Sequence, residues 1–179
     1  MSKKLRTKDE RTVWLRPAIK EDAAALIRAA DSVAREGRFL VRSRFERDVE
    51  QEQEFIAAAR ERGDLILVAL LDGVLVGWVM IFRARREFMR HTAELGMGVL
   101  RGQRGIGIGT ALMDYALAWA AEHGIEKVNL AVRVSNEPAQ ALYRKFGFVE
   151  EGYRVREVKD LEGRYDDNIE MAFFVEAEG

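Results

Sequence analysis

Three glycines at alternate positions, Gly105, Gly107 and Gly109 in RGQRGIGIGTALMDYALAWAAEHG, run directly into an amphipathic segment. Glycine inside a helix costs roughly 1 kcal/mol relative to alanine, so this density points to something that must come close to the backbone. A helix N-terminus exposes unpaired N–H groups and about half a positive charge, a combination suited to phosphate. Arg101 and Arg104 add positive charge beside the glycines. The alternative is a glycine-rich turn that holds no ligand.

Two common nucleotide loops do not fit. A Walker A loop needs Gly-Lys-Ser/Thr, whereas Gly109 is followed by Thr110 and Ala111. The dinucleotide fingerprint needs Gly or Ala where Leu112 stands, and an acidic residue at the end of the next strand. Glu126 has nearly that spacing but lies at the strand's start.

In TAELGMGVL, strand alternation puts Thr92, Glu94, Gly96 and Gly98 on one face and Ala93, Leu95, Met97 and Val99 on the other. Two glycines on one face indicate that a helix or an extended ligand lies against the backbone. Glu94 is then the only ionisable side chain overlooking that groove, with His91 just before the strand. A bulge would reverse the faces. Further on, NEPAQALYRKFGF reads as a short helix with Asn136 at its cap and Pro138 in its first turn. Ala139, Leu142, Tyr143 and Phe146 fall at i, i+3, i+4 and i+7, so by spacing alone Tyr143 is a core residue.

These residues need a scaffold. A strand over 12–18 ends near Pro17, a helix over 20–37 ends at Gly37, and a charged helix over 46–63 ends at Gly63. DLILVALLDGVLVGWVMIFRA holds two apolar runs around Asp72-Gly73, a hairpin signal between strands covered on both faces. After the glycine loop, Ile108, Ala111, Leu112, Tyr115, Ala116, Trp119 and Ala120 form one buried stripe. EKVNLAVRV is a strand, and FVEEGYRVREV with DDNIEMAFFV a closing strand pair. The order β-α-α-β-β-β-α-β-α-β-β predicts a mixed sheet with helices on both sides.

Composition narrows the chemistry. The 179 residues fit one domain, read as 12–179 behind a flexible basic tail over 1–11. The net charge of −1 argues against nucleic acid or anionic lipid as a partner. No cysteine is present, so thiolate chemistry is excluded, and two histidines make a histidine-built metal site improbable. No apolar run approaches the roughly 20 residues that span a bilayer, and the chain reads as cytoplasmic with no membrane partner.

Together the motifs resemble those of the GNAT superfamily, the GCN5-related N-acetyltransferases. Arg104-Gly105-Ile106-Gly107-Ile108-Gly109 matches its Arg/Gln-x-x-Gly-x-Gly/Ala loop. Asn136, Ala139, Leu142, Tyr143, Gly147 and Phe148 match its second signature, and the element order is similar from about residue 12 to 176. The resemblance implies a GNAT fold of mixed α/β (α+β) class. Its sheet would have about six to seven mostly antiparallel strands, splayed at the centre, with about four helices on both faces. It also implies acetyl-CoA as co-substrate and no metal. The pyrophosphate would sit on Arg104, Gly105, Ile106, Gly107, Ile108, Gly109 and Thr110, and the pantetheine arm along Met97 and Val99. Asn136 would contact the pantetheine or order the site, Tyr143 would protonate the departing thiolate, and Glu94 would accept the amine's proton, with His91 as runner-up.

The implied acceptor is a primary amine, either a small α-amine such as an amino acid or a protein N-terminus, attacking directly in a ternary complex. An α-amine is about 3 kcal/mol easier to neutralise at pH 7 than a lysine. The acceptor pocket should draw on 37–46, 84–92 and 158–168. There Arg38, Arg42 and Arg44 favour a carboxylate, whereas Asp166 and Asp167 favour a polyamine. The competing reading is a non-catalytic acyl-CoA sensor. The resemblance also allows a homodimer.

Overall fold

The computed structural model describes residues 2–40 and 44–175; Arg42 lies outside them. Its strands are β1 (Lys3–Arg6), β2 (Thr12–Pro17), β3 (Leu65–Leu71), β4 (Val74–Arg83), β5 (Thr92–Val99), β6 (Lys127–Arg133), β7 (Val149–Lys159) and β8 (Tyr165–Phe174). The helices are α1 (Ala23–Ala34), α2 (Val49–Glu61), α3 (Ile108–Glu122) and α4 (Glu137–Lys145). One sheet takes all eight strands in the order β1-β2-β3-β4-β5-β6-β8-β7. Every neighbouring pair is antiparallel except β5 with β6.

Local sequence explains most of the elements. Asp72 and Gly73 both have positive φ (51° and 79°), as a two-residue type I′ hairpin requires, and they turn β3 into β4. Asp48 caps α2 by accepting a hydrogen bond from the Gln51 N–H. The helix expected over 20–37 is shorter than its sequence pattern: a 3-10 turn at 20–22 precedes α1, and Gly37 follows with φ 68°.

The apolar strands β3 and β4 are buried on both faces. One face meets α1 and α2 through Leu26, Val33, Ile56, Val68 and Trp78. The other meets α3 and α4 through Leu67, Val79, Leu112, Met113 and Tyr143. Within α3, Ile108, Leu112, Met113, Ala116 and Ala120 are buried, while Tyr115 and Trp119 lie at the stripe's flank. The predicted stripe is therefore rotated slightly towards Met113.

Residues 3–6, expected within a flexible tail, instead form an eighth strand paired with β2, one more than the six to seven predicted. Thr7 and Arg11 close the connection by a hydrogen bond from the Thr7 N–H to the Arg11 carbonyl. The Lys8 N–H then donates to the Ile106 carbonyl at 2.9 Å, which ties this segment to the glycine loop.

Candidate active site

The decisive irregularity is between β5 and β6. They pair only at Thr92↔Lys127, Ala93↔Val128 and Glu94↔Asn129, although β5 runs on to Val99 and β6 to Arg133. Beyond Glu94 the sheet is split, and β5 keeps its pairing to β4 alone. Main-chain groups of β5 are thus left without a strand on one side, and buried backbone groups need partners.

A groove of about 570 Å³ opens at this split. Its lining includes Leu95, Gly96, Met97, Gly98 and Val99 from β5, and Arg104, Gly105, Gly107, Gly109 and Thr110 from the glycine loop. Asn136, Ala139, Leu142 and Tyr143 close it from α4. Most residues predicted from sequence are therefore brought to one place. Gly105 and Gly107 have φ of 80° and 100°, a region that side chains disfavour, and a Cβ at either would meet only open space. The loop is thus shaped to leave its backbone uncovered at the N-terminus of α3, where unpaired N–H groups suit an anion.

Several expectations need correction. The Ile108 side chain is buried in the core and Ile106 packs against it, so neither lines the groove; what they can offer is backbone. Gly98 makes room for a side chain of the protein, since a Cβ there would lie 2.4 Å from the Trp78 ring, whereas Gly96 faces open space. Arg104 is not a mobile charge. It donates through Nε to the Val99 carbonyl at 2.8 Å and through both Nη atoms to the Glu36 carboxylate, at 2.9 and 2.5 Å. Arg101 lines neither this groove nor the cavity beside it. Lys8 lines the groove instead, together with Val33, Phe39 and Leu40, none of which carried a local sequence signal.

Asn136 does cap α4, its Oδ1 accepting from the Ala139 N–H at 3.4 Å, while it also lines the groove. Tyr143 is both core and site. It is 8% exposed, packs on Phe148 with ring centroids 5.7 Å apart, and reaches the groove wall. Burial pushes its phenol up to about 12. Glu94 stands at the root of the split and outside the groove's lining residues. Although the residue is largely exposed, partial withdrawal from water raises its pKa, opposed by a hydrogen bond with Asn129 and assisted by the nearby Glu170 charge. His91 is exposed and lines neither cavity.

A second cavity, of about 1040 Å³, adjoins the groove, with Leu40 lining both. It is walled by 34–38, Arg44, Glu46, Arg133, 158–162 and Arg164. Two of the three segments expected to form an acceptor pocket therefore meet there, but 84–92 does not contribute. Nor do Asp166 and Asp167: Asp166 accepts from the Ser135 hydroxyl, and Asp167 from the Arg156 N–H.

Residues 24–148 match the sequence model of the acetyltransferase (GNAT) family. The chain belongs to the GNAT family. It is an N-acetyltransferase with acetyl-CoA as its acyl donor. The acetyltransferase is 37% identical over 125 residues to an N-alpha-acetyltransferase of Sulfolobus acidocaldarius, covering 63% of this chain and 68% of that one. Its structure is similar to a GNAT acetyltransferase from Streptococcus pneumoniae, with a TM-score of 0.87, 28% identity and coverage of 91% and 99% of the two chains. A ribosomal-protein-alanine N-acetyltransferase from Brucella melitensis gives a TM-score of 0.82 at 25% identity, covering 89% and 98%.

The groove fits this donor. Open glycine backbone at a helix start suits a pyrophosphate, Lys8 supplies a cation, and the unpaired side of β5 suits an extended amide-bearing arm. Among the described residues no group of three or more His, Cys, Asp or Glu could hold a metal.

Proposed function

We propose that this acetyltransferase acts on the α-amine of a protein N-terminus. The observation that carries the reading is the second cavity beside the groove. At about 1040 Å³ it is at the upper end of small-molecule sites, which run from about 300 to 1,000 Å³, and so suits several peptide residues better than one amino acid. The N-alpha-acetyltransferase relatives support the same acceptor class. A polyamine is disfavoured by the lining, where Arg35, Arg38, Arg44, Arg133, Lys159 and Arg164 outnumber Glu36, Glu46, Asp160 and Glu162.

Bound acetyl-CoA supplies an activated acetyl thioester. The chain's own residues then have four tasks. The glycine loop and Lys8 hold the phosphates, and β5 orients the arm by its main chain. Glu94, at the root of the split, takes up the proton of the incoming ammonium through water; its raised pKa makes it a better base than an ordinary carboxylate. Tyr143 faces the departing sulfur. With the phenol near 12 and a free thiol near 8.5, full proton transfer to the thiolate is uphill by about 5 kcal/mol. Tyr143 therefore acts by donating a hydrogen bond as negative charge develops on sulfur.

The test is release of coenzyme thiol with N-terminal peptides, free amino acids and a polyamine as competing acceptors. Peptides are expected to give the highest kcat/KM. A preference for free amino acids or the polyamine overturns the acceptor assignment, and release that none of the three accelerates places the acceptor outside these classes.

A further inference from the structure

Residues 36–40 span the mouth of the split. On the β5 side, Arg104 holds Glu36 through two hydrogen bonds and lies over the Phe39 ring, 4.4 Å from its centroid. On the other side stands Arg133, the last residue of β6. Its Nη1 donates to the Gly37 carbonyl at 2.8 Å and its Nη2 to the Leu40 carbonyl at 2.7 Å. The Arg133 carbonyl in turn accepts from Gln140 Nε2 at 3.0 Å, which anchors the clamp to α4.

Arg133 is only 9% exposed, and among the described residues its Nε has no hydrogen-bond partner. A buried guanidinium is costly when uncompensated. Here its planar fork addresses two main-chain carbonyls of one short segment, which fixes both the position and the orientation of that segment. The segment is the partition between the two cavities: Phe39 faces the groove, Gly37 the larger cavity, and Leu40 both.

We infer that Arg133 is a positioning residue for the acceptor. By clamping Gly37 and Leu40 it sets the wall along which the amine passes from the larger cavity to the thioester end of the groove. Arg104 and Glu36 hold the other end of the same strap and are not primary phosphate ligands. This rests on the larger cavity being the acceptor site.

Arg133→Met keeps most of the side-chain volume and removes the fork; Arg133→Lys keeps the charge and can reach one carbonyl at a time. Acceptor KM with an N-terminal peptide is expected to rise about tenfold or more in Arg133→Met and less in Arg133→Lys, while acetyl-CoA Kd by calorimetry stays within about threefold. Glu36→Gln, at the strap's other end, is expected to raise acceptor KM without tightening acetyl-CoA. An Arg133→Lys enzyme with unchanged acceptor KM, or Arg133 variants that lose acetyl-CoA affinity as fully as acceptor affinity, would overturn the inference. A tighter acetyl-CoA complex in Glu36→Gln would instead mean that Glu36 competes with phosphate for Arg104. Leu161→Trp, at an exposed position of the larger cavity's wall, separates the two readings. If it leaves acceptor KM unchanged while the Arg133 variants raise it, the larger cavity is not the acceptor site and the inference falls with that assignment. If it raises acceptor KM while the Arg133 variants do not, the acceptor site stands and only the role of the clamp falls.

Discussion

Glu94 on β5 faces Asn129 on β6, and theirs is the last register pair before the two strands part. The Asn129 side chain lies near enough to favour the charged carboxylate, against the desolvation that raises its pKa, at the point where the sheet opens. A base held there stands beside the split yet keeps access to water, which a proton leaving an ammonium group needs.

The raised pKa of Glu94 gives this a pH signature. Activity is expected to rise along a deprotonation limb whose midpoint lies above the ordinary glutamate value of about 4.3. Glu94→Gln should lose that limb, lower kcat, and shift the optimum upward to where the amine is already neutral, with acetyl-CoA affinity unchanged. The linkage sign is also fixed. A carboxyl with a raised native pKa binds its proton more tightly when folded, so stability is lost as pH rises through that pKa. Above it, Glu94→Gln should melt no lower than the parent. A pH–rate profile identical to the parent's would assign the proton to another route.

Tyr143→Phe is expected to lower kcat by about 100- to 1,000-fold, the cost of removing one hydrogen-bond donor to developing negative charge, with little change in acetyl-CoA Kd. With its phenol pushed up to about 12, Tyr143 remains protonated throughout the neutral range and should add no limb to the profile there. Full activity in a variant that melts early would leave Tyr143 as a core residue only.

Gly109 offers a cleaner test of the phosphate site than Gly107, whose φ of 100° would strain any side chain. A Cβ at Gly109 meets Leu142 at 3.4 Å and Met97 at 3.6 Å, ordinary contacts. Aspartate in the first turn of α3 would favour the helix by about 0.3–1 kcal/mol while repelling pyrophosphate. Gly109→Asp should therefore keep its melting temperature and lose acetyl-CoA binding in calorimetry, and Gly109→Ala should bind nearly as well as the parent. Equal binding by Gly109→Asp would move the phosphates off this loop.

The two glycines of β5 should separate under substitution. Gly98→Ala forces a methyl group into the Trp78 ring, and overpacking of this kind costs about 1–3 kcal/mol, or roughly 2–12 °C in Tm for a chain of this size. Gly96→Ala meets nothing and should leave Tm alone while weakening acetyl-CoA binding. Thermal unfolding and calorimetry on the pair would reveal the reverse pattern if it held.

Sequence reasoning succeeded where a feature was local. The positive-φ glycines, the helix that follows them and the Asp72-Gly73 hairpin all depend on neighbours along the chain. It missed β1 because Lys3–Arg6 carries no apolar alternation; only Leu5 is partly buried, and pairing with β2 holds the strand. Arg104 read as a phosphate cation because its partner Glu36 is 68 positions away. Arg133 gave no signal for a related reason: it binds main-chain carbonyls 93 and 96 positions distant, whose side chains can be anything. Gly98 read as space for a helix or an extended ligand because the indole that fills it comes from the neighbouring strand.

A strand side without a partner is ordinarily a hazard, since a row of free N–H and C=O groups at a sheet's rim templates pairing with another chain. This protein places its free strand side in the interior of an eight-stranded sheet, between β5 and β6, flanked by helices on both faces. Its true rims are poor templates. β1 has four residues, and β7 (VEEGYRVREVK) is densely charged and breaks register twice, between Glu150 and Gly152 and between Arg154 and Val158. The adhesive backbone is thus kept inside the sheet, where an extended ligand can pair with it, and away from the rims where another chain's strand would add on.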